Sequence, residues 1–104
     1  MTRVPVVDSH HHFWEIEKFD YSWMPEGSPL ATDYGPGDLE PLIKDAGVDY
    51  TVIVQAVSSP EEAKWLLEMA EQHDFIAGVV GWVDLTDPDV GYTLDELQRS
   101  KYFK

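Results

Sequence analysis

The spacing of apolar residues changes several times along this chain, and the changes predict alternating strands and helices. The short apolar run Val4–Asp8 is typical of a first strand, with Pro5 near its start, where proline is tolerated. The segments Tyr50–Ala56 and Phe75–Val83 are nearly continuous runs of β-branched and other apolar residues. Because such runs are typical of strands buried on both faces, we expect three buried strands in a parallel sheet.

Helical periodicity separates these apolar runs. Over Asp38–Ala46 apolar residues recur at three- and four-residue spacing, and Gly47 follows as a C-terminal stop. Ser59-Pro60-Glu61-Glu62 predicts the start of a second helix, in which Ser59 caps the helix and Glu62 completes a capping box.

The last quarter of the chain predicts a loop, a helix and the approach to another strand. Asp84–Gly91 is expected to be a loop, and Thr93–Glu96 repeats the capping-box pattern at the start of a short helix. Lys101–Lys104 would lead into the next strand. The order β-α-β-α-β-α favours right-handed crossovers and a parallel sheet. An eight-stranded α/β barrel needs about 250 residues, and this chain supplies about three of its eight units.

Residues 13–37 are predicted to form one long loop, rich in proline and glycine and without clean periodicity. The loop holds six of the thirteen aromatic residues, which are Phe13, Trp14, Phe19, Tyr21, Trp23 and Tyr34. Two interpretations stay open. The rings could form a small local core that holds the loop in place, or they could form a wall over a pocket, where flat rings suit the C–H faces of sugars.

Composition narrows the candidate functions. The 104 residues suit one small domain, and the 20 acidic against 7 basic residues give a net charge of -13, which disfavours nucleic acid and anionic membrane surfaces as partners. The absence of cysteine excludes disulfides and thiolate metal sites. No targeting segment is recognisable and no apolar run approaches the ~20 residues of a membrane span, so we expect a cytoplasmic protein.

The motif VVDSHHHFW, residues 6–14, carries the clearest candidate chemistry. Strand alternation places His10 and His12 on one side and His11 on the other. Two imidazoles spaced in this way can reach one ion at about 2.0–2.1 Å, and barrels place their active sites at this end of the strands. Asp8 shares their side and could orient the pair or join it. Purely structural histidines at the start of a loop are the alternative, and we favour that role for His11 and for His73, which is predicted in the last turn of a helix.

Three further residues are candidate substrate contacts at the same end of the sheet. Gln55 ends the second predicted strand, Trp82 ends the third, and Trp14 begins the aromatic loop. For Gln55, hydrogen bonding to the loop backbone explains a polar strand end equally well.

VVDSHHHFW, VIVQA and GVVGWVDL together resemble the amidohydrolase-related group of TIM-barrel metal-dependent hydrolases. The closest likeness is to its sugar-lactonase branch, of the fuconolactonase and rhamnonolactonase type, and it runs over essentially the whole chain. The resemblance implies that residues 1–104 form a single partial domain, the first three βα units of a (β/α)8 barrel. It also implies that His10 and His12 hold a divalent ion, commonly zinc, and that the reaction is lactone hydrolysis, for which the ion activates water and polarises the carbonyl.

The resemblance also implies what this chain lacks. The later histidines and the general-base aspartate of the family fall beyond Lys104, so no catalytic residue is assignable here, and two histidines do not complete a three-ligand zinc site. We therefore expect the chain alone to be inactive. Arg3 and Arg99 do not fall at a strand's carboxyl end, so an anionic lactone would need basic residues from the missing part. The aromatic loop favours a neutral sugar lactone as substrate.

Two alternatives to the enzyme stay open. The chain could be a non-catalytic product of the same fold, either a truncated remnant or an oligomer that completes its sheet with copies of itself through exposed sheet edges. It could also be an unrelated small α/β module in which His10 and His12 are structural.

Overall fold

Strands and helices alternate in the computed structural model, which describes residues 4–104. The strands are β1 (Val7–His11), β2 (Tyr50–Val54) and β3 (Ile76–Val80), and the helices are α1 (Pro36–Ala46), α2 (Pro60–Gln72) and α3 (Val90–Leu97). The strands form one parallel sheet in the order β1-β2-β3. The predicted order of elements and the parallel sheet are therefore confirmed. None of the helices within the described residues is long and apolar enough to cross a membrane.

The core lies between one face of the sheet and helix α2. Its buried members are Phe13, Ile53, Ala63, Leu66, Leu67, Ala70, Ile76, Val79 and Leu97. Ile53 of β2 and Val79 of β3 are completely buried beneath the helix. Full burial of a large aliphatic side chain contributes about 1.5–3 kcal/mol, so this layer holds the sheet and α2 together. We call this covered side the outer face of the sheet and the opposite side the inner face.

Strand β1 differs from its prediction in position and in burial. It begins at Val7, whereas Val4–Asp8 was the predicted run, and it therefore includes His10 and His11. Most of its side chains are exposed, so the prediction of burial on both faces is wrong for this strand. The physical reason is that no described residue covers the inner face of the sheet. For the same reason burial on both faces is also wrong for β2 and β3, where Tyr50 and Val80 are exposed and only the outer face is covered.

Strands β2 and β3 end earlier than their apolar runs. The apolar runs extend to Ala56 and Val83, but ladder pairing stops at Val54 and Val80. Beyond Gln55 the backbone N–H groups of Ala56 and Val57 donate to the Glu62 side chain of α2 instead of to the neighbouring strand. Hydrophobic content alone cannot show where such a turn begins.

The first helix largely follows the sequence pattern. Helix α1 begins at Pro36, two residues before the predicted Asp38, and the Asp38 carboxylate accepts a hydrogen bond of 2.9 Å from the Gly35 N–H. Gly47 ends the helix in the left-handed conformation, with φ 76°, as predicted.

Helix α2 begins after Ser59, as predicted, but the expected capping box does not form. The Ser59 hydroxyl donates to the Glu61 carboxylate at 2.9 Å and makes no capping hydrogen bond. Glu62 turns inward instead of reaching back to the cap residue. His73 lies directly after the helix in extended backbone, so its predicted place in the last turn is wrong.

Helix α3 begins at Val90, so the predicted loop Asp84–Gly91 is too long and the predicted capping box at Thr93 is wrong. After α3, the chain returns to the free edge of β3. The Val79 N–H donates to the Tyr102 carbonyl at 2.8 Å, and the Lys104 N–H donates to the Val79 carbonyl at 2.9 Å. This parallel bridge confirms the expected approach to another strand.

Candidate metal centre

The structure brings His10 and His12 together at the carboxyl end of β1. His10 is the penultimate residue of the strand and His12 follows its last residue. Their ring centroids lie 5.2 Å apart, with the ring planes at 82°. Both side chains are exposed on the inner side of the sheet, as strand alternation predicted.

His12 is held by a neighbouring strand. Its Nδ1 atom lies 2.7 Å from the carbonyl oxygen of Val54, the last residue of β2. Because a carbonyl oxygen can only accept, this bond requires the proton on Nδ1 and leaves the lone pair on Nε2. Metal-binding histidines are commonly oriented in this way, with one nitrogen donating to a carbonyl and the other facing the ion.

Asp8 forms a hydrogen bond with the backbone of the histidine pair. One of its carboxylate oxygens accepts a hydrogen bond of 3.1 Å from the His10 N–H. Within residues 4–104 its carboxylate makes no hydrogen bond to either imidazole, so a role as orienting carboxylate stays a prediction. Its observed contact limits the backbone freedom of the first candidate ligand.

His11 points to the outer face, away from the pair. Its ring packs edge-on against Phe13, with centroids 4.6 Å apart. Its Nε2 atom is buried without a hydrogen-bond partner in the described structure, and burial lowers the pKa of His11. These features fit the structural role expected for this residue.

The donor set fits part of a zinc site. Two imidazoles that share a tetrahedral ion at about 2.0–2.1 Å have ring centroids about 5 Å apart, which agrees with the observed pair. No group of three or more possible ligands comes together among residues 4–104. The described chain therefore offers two nitrogen ligands, and a complete site requires others.

Gln55 links the ends of β2 and β3. Its side-chain nitrogen donates to the carbonyls of Val57, at 2.7 Å, and Ser59. Its side-chain oxygen accepts from the Trp82 N–H at 2.8 Å. Backbone partners thus account for both ends of the amide, and the predicted substrate contacts of Gln55 and Trp82 remain predictions.

Glu62 is a buried acid that the sequence interpretation assigned to the wrong role. Its carboxylate is completely buried and accepts hydrogen bonds from the N–H groups of Ala56, at 2.7 Å, and Val57, at 3.0 Å. Burial raises the pKa of Glu62, and these hydrogen bonds act in the opposite direction. Its spacing was a usable signal, because Glu62 lies four residues before the buried Leu66 and therefore on the apolar face of α2.

The aromatic loop forms a small core around Trp14, as one of the two interpretations predicted. The rings of Tyr21, Trp23 and Tyr34 lie 5.7–6.2 Å from that of Trp14. The indole N–H donates to the carbonyls of Leu30 and Thr32. Only 8% of Trp14 is exposed, so little of its ring is available for the substrate contact predicted for it.

Trp23 and Trp82 are the more exposed indole rings at this end of the sheet, with 52% and 36% of each residue accessible. The Trp23 indole N–H donates to the Ala56 carbonyl at 3.2 Å, which ties the loop to the chain leaving β2. A cavity of about 460 Å³ lies between Trp23 and residues 56–59. The sequence interpretation did not distinguish Trp23 from the other rings of the loop, because exposure depends on how the loop folds.

Comparison with known proteins identifies the family. Residues 7–103 match the amidohydrolase family, and the chain belongs to it. It is 39% identical over 99 residues to an L-fucono-1,5-lactonase of Burkholderia ambifaria, an alignment that covers 94% of this chain and 34% of that enzyme. It is 38% identical over 96 residues to the L-fucono-1,5-lactonase of Burkholderia multivorans, covering 91% and 32%.

Solved structures give the same relationship. A crystal structure of a Burkholderia multivorans amidohydrolase with bound zinc aligns with a TM-score of 0.83 and 38% identity, over 89% of this chain and 33% of that one. A second crystal structure, with bound HEPES, aligns with a TM-score of 0.87 and 37% identity, over 96% and 36%. The predicted family and fold class are confirmed. The chain spans about a third of the length of these relatives and corresponds to the amino-terminal part of their barrel.

Proposed function

We propose that this chain contributes the first βα units of a metal-dependent hydrolase that opens a sugar lactone. In this proposal His10 and His12 supply two ligands of a divalent ion, for which zinc is favoured. The observation that carries it is the histidine pair at the carboxyl end of β1, with His12 already fixed on the Val54 carbonyl. The lactonase relatives and the zinc bound in a similar structure support this choice.

The described residues would prepare the site in three ways. His12 would present Nε2 in a fixed direction, and His10 would present its ring from the adjacent position. The exposed rings of Trp23 and Trp82 would offer apolar surfaces at the same end of the sheet. The ion, when bound, would act as a Lewis acid towards the lactone carbonyl.

The charge distribution favours a neutral lactone as substrate. Helix α3 returns from the carboxyl end of the sheet to its amino end, and Arg99 follows that helix on the side away from the histidine pair. Arg3 lies outside the described residues. Among the described residues, an anionic substrate would find no arginine at the carboxyl end of the sheet.

A zinc titration with a competing chromophoric chelator tests the ligand assignment. It compares the wild type with the double variant His10→Ala/His12→Ala and with His73→Ala, which removes a histidine near the opposite end of the sheet. We expect the double variant to bind zinc at least about tenfold more weakly, and His73→Ala to match the wild type. Equal, negligible uptake by all three proteins would refute zinc binding by the isolated chain.

A chimera tests the activity. The aligned amino-terminal third of the Burkholderia multivorans lactonase is replaced by this chain, and hydrolysis of L-fucono-1,5-lactone is measured. The proposal predicts that the chimera is active and that His10→Ala/His12→Ala abolishes its activity. A folded chimera that loses no activity on this double substitution would contradict the proposal.

A further inference from the structure

Glu62 occupies an unusual place for an acid. In the described part of the chain, Thr51 and Glu62 are the two polar residues that are buried, and Glu62 has no exposed surface. A buried carboxylate is costly unless its oxygens accept hydrogen bonds. Both oxygens do so, and both donors belong to the backbone that follows β2.

These hydrogen bonds take the place of strand pairing in the backbone that follows β2. The peptide between Val54 and Gln55 is fixed from both sides, because its carbonyl accepts from His12 Nδ1 and its N–H donates to the Val80 carbonyl at 2.9 Å. The next two N–H groups along the chain, those of Ala56 and Val57, have no strand partner, and the Glu62 carboxylate accepts from both.

The carbonyl groups of Ala56 and Val57 are also hydrogen-bonded, to other side chains. The Trp23 indole donates to the Ala56 carbonyl, and the Gln55 side chain donates to the Val57 carbonyl. Only a carboxylate offers two acceptor oxygens to adjacent N–H groups, whereas an amide would place its NH₂ group against one of them. The exit of β2 therefore depends on the chemistry of Glu62 as well as on its size.

We propose that Glu62 is a positioning residue for His12. By holding the exit of β2, it keeps the Val54 carbonyl directed at Nδ1 and so maintains the tautomer that leaves Nε2 for a ligand. In this proposal Glu62 acts through the backbone that follows β2 and is not itself a ligand of the ion. The expected effect of Glu62 on metal binding rests on the proposed function. Its expected effect on the tautomer of the His12 imidazole does not.

The competing explanation is that Glu62 only stabilises the first turn of α2. A neighbour provides the matched control, because Glu61 lies in the same turn with an exposed carboxylate bound to the Ser59 hydroxyl. Both Glu61→Gln and Glu62→Gln remove one charge from the helix N-terminus, but only the second disturbs the backbone of Ala56 and Val57.

The test is the tautomer of His12, read from long-range ¹H–¹⁵N correlation spectra at about pH 8.5, well above the ordinary pKa of an imidazole. We expect the Nδ1–H form to dominate in the wild type and in Glu61→Gln. In Glu62→Gln its ratio to the Nε2–H form should fall about fivefold, the equilibrium effect of losing one net hydrogen bond. Glu62→Asp keeps the carboxylate on a shorter side chain that reaches the loop less well. Its tautomer ratio should lie between those of the wild type and Glu62→Gln.

A folded Glu62→Gln variant with the wild-type tautomer ratio would overturn the proposal, as would an equal change in Glu61→Gln. If the isolated variants do not fold, the same spectra are recorded on the chimera, whose larger domain tolerates the loss of stability. There, Glu62→Gln should also weaken zinc binding about 10- to 100-fold. Failure of the chimera with an unmutated Glu62 to bind zinc would refute the proposed function and leave the tautomer comparison unaffected.

Discussion

The Nδ1 atom of His12 and the carbonyl oxygen of Val54 are 2.7 Å apart, although 42 positions separate the two residues in the sequence. The contact exists because β1 and β2 pair in parallel and end at the same edge of the sheet. A slip of one residue in this pairing would turn the alternate side chains to the opposite face. The geometry of the candidate metal centre is thus a property of the strand register.

The hydroxyl of Thr51 is expected to destabilise the fold. Thr51 is completely buried in β2, and its Oγ1 atom has no hydrogen-bond partner among the described residues. Thr51→Val keeps the shape and removes the unsatisfied group, so it should raise the free energy of unfolding by about 1 kcal/mol. Urea denaturation measures the change. Thr86→Val is the control, and it should not stabilise the protein, because the Thr86 hydroxyl donates to Asp84.

Gly81 is expected to be intolerant of a side chain. A Cβ atom there would lie 2.9 Å from Cε1 of Phe103 and 3.4 Å from Cβ of Ala63. Gly81→Ala should therefore lower the free energy of unfolding by about 1–3 kcal/mol. Gly91, in helix α3, has open space around it, so Gly91→Ala should raise stability by about 0.5–1 kcal/mol. Thermal denaturation of both variants tests this pair, and a loss of stability in Gly91→Ala alone would contradict it.

The aromatic loop is expected to depend on Trp14 far more than on Trp23. Trp14 is buried and bonded to two carbonyls, whereas half of Trp23 is exposed. Trp14→Ala should lower the free energy of unfolding by about 3–5 kcal/mol, and Trp23→Ala should lower it clearly less. Circular dichroism followed during urea denaturation gives both values. Equal costs would mean that Trp23 carries as much of the small core as Trp14.

Tyr21 is expected to make stability depend on pH in the alkaline range. Burial, together with the charge of Glu62, raises the pKa of Tyr21 from 10.0 to about 12. Between these values the folded protein keeps a proton that the unfolded chain has lost, so the free energy of unfolding falls as the pH rises. Tyr21→Phe should remove this part of the slope. The control is Tyr92→Phe, at an exposed position, and identical slopes in wild type and Tyr21→Phe would refute the prediction.

Local patterns predicted the elements that depend on local chemistry. Helix α2 begins after Ser59 because proline and the acids of its first turn suit a helix start wherever the chain lies. Gly47 ends α1 because the left-handed conformation favours glycine. The start of α3 was missed because the capping-box pattern at Thr93 indicated a later start than Val90, where the helix begins.

The sequence by itself determined the alternation of strands and helices, the parallel sheet, and the shared side of His10 and His12, because these follow from residue periodicity and from the two-residue alternation of a strand. Only the tertiary structure decided that Glu62 forms no capping box and instead accepts hydrogen bonds from the backbone that follows β2. The same is true of the contact between His12 and Val54, and of Trp14 being buried while Trp23 stays exposed. Each of these depends on groups far apart in the chain, whose contacts exist only after the sheet, the loop and α2 have packed together.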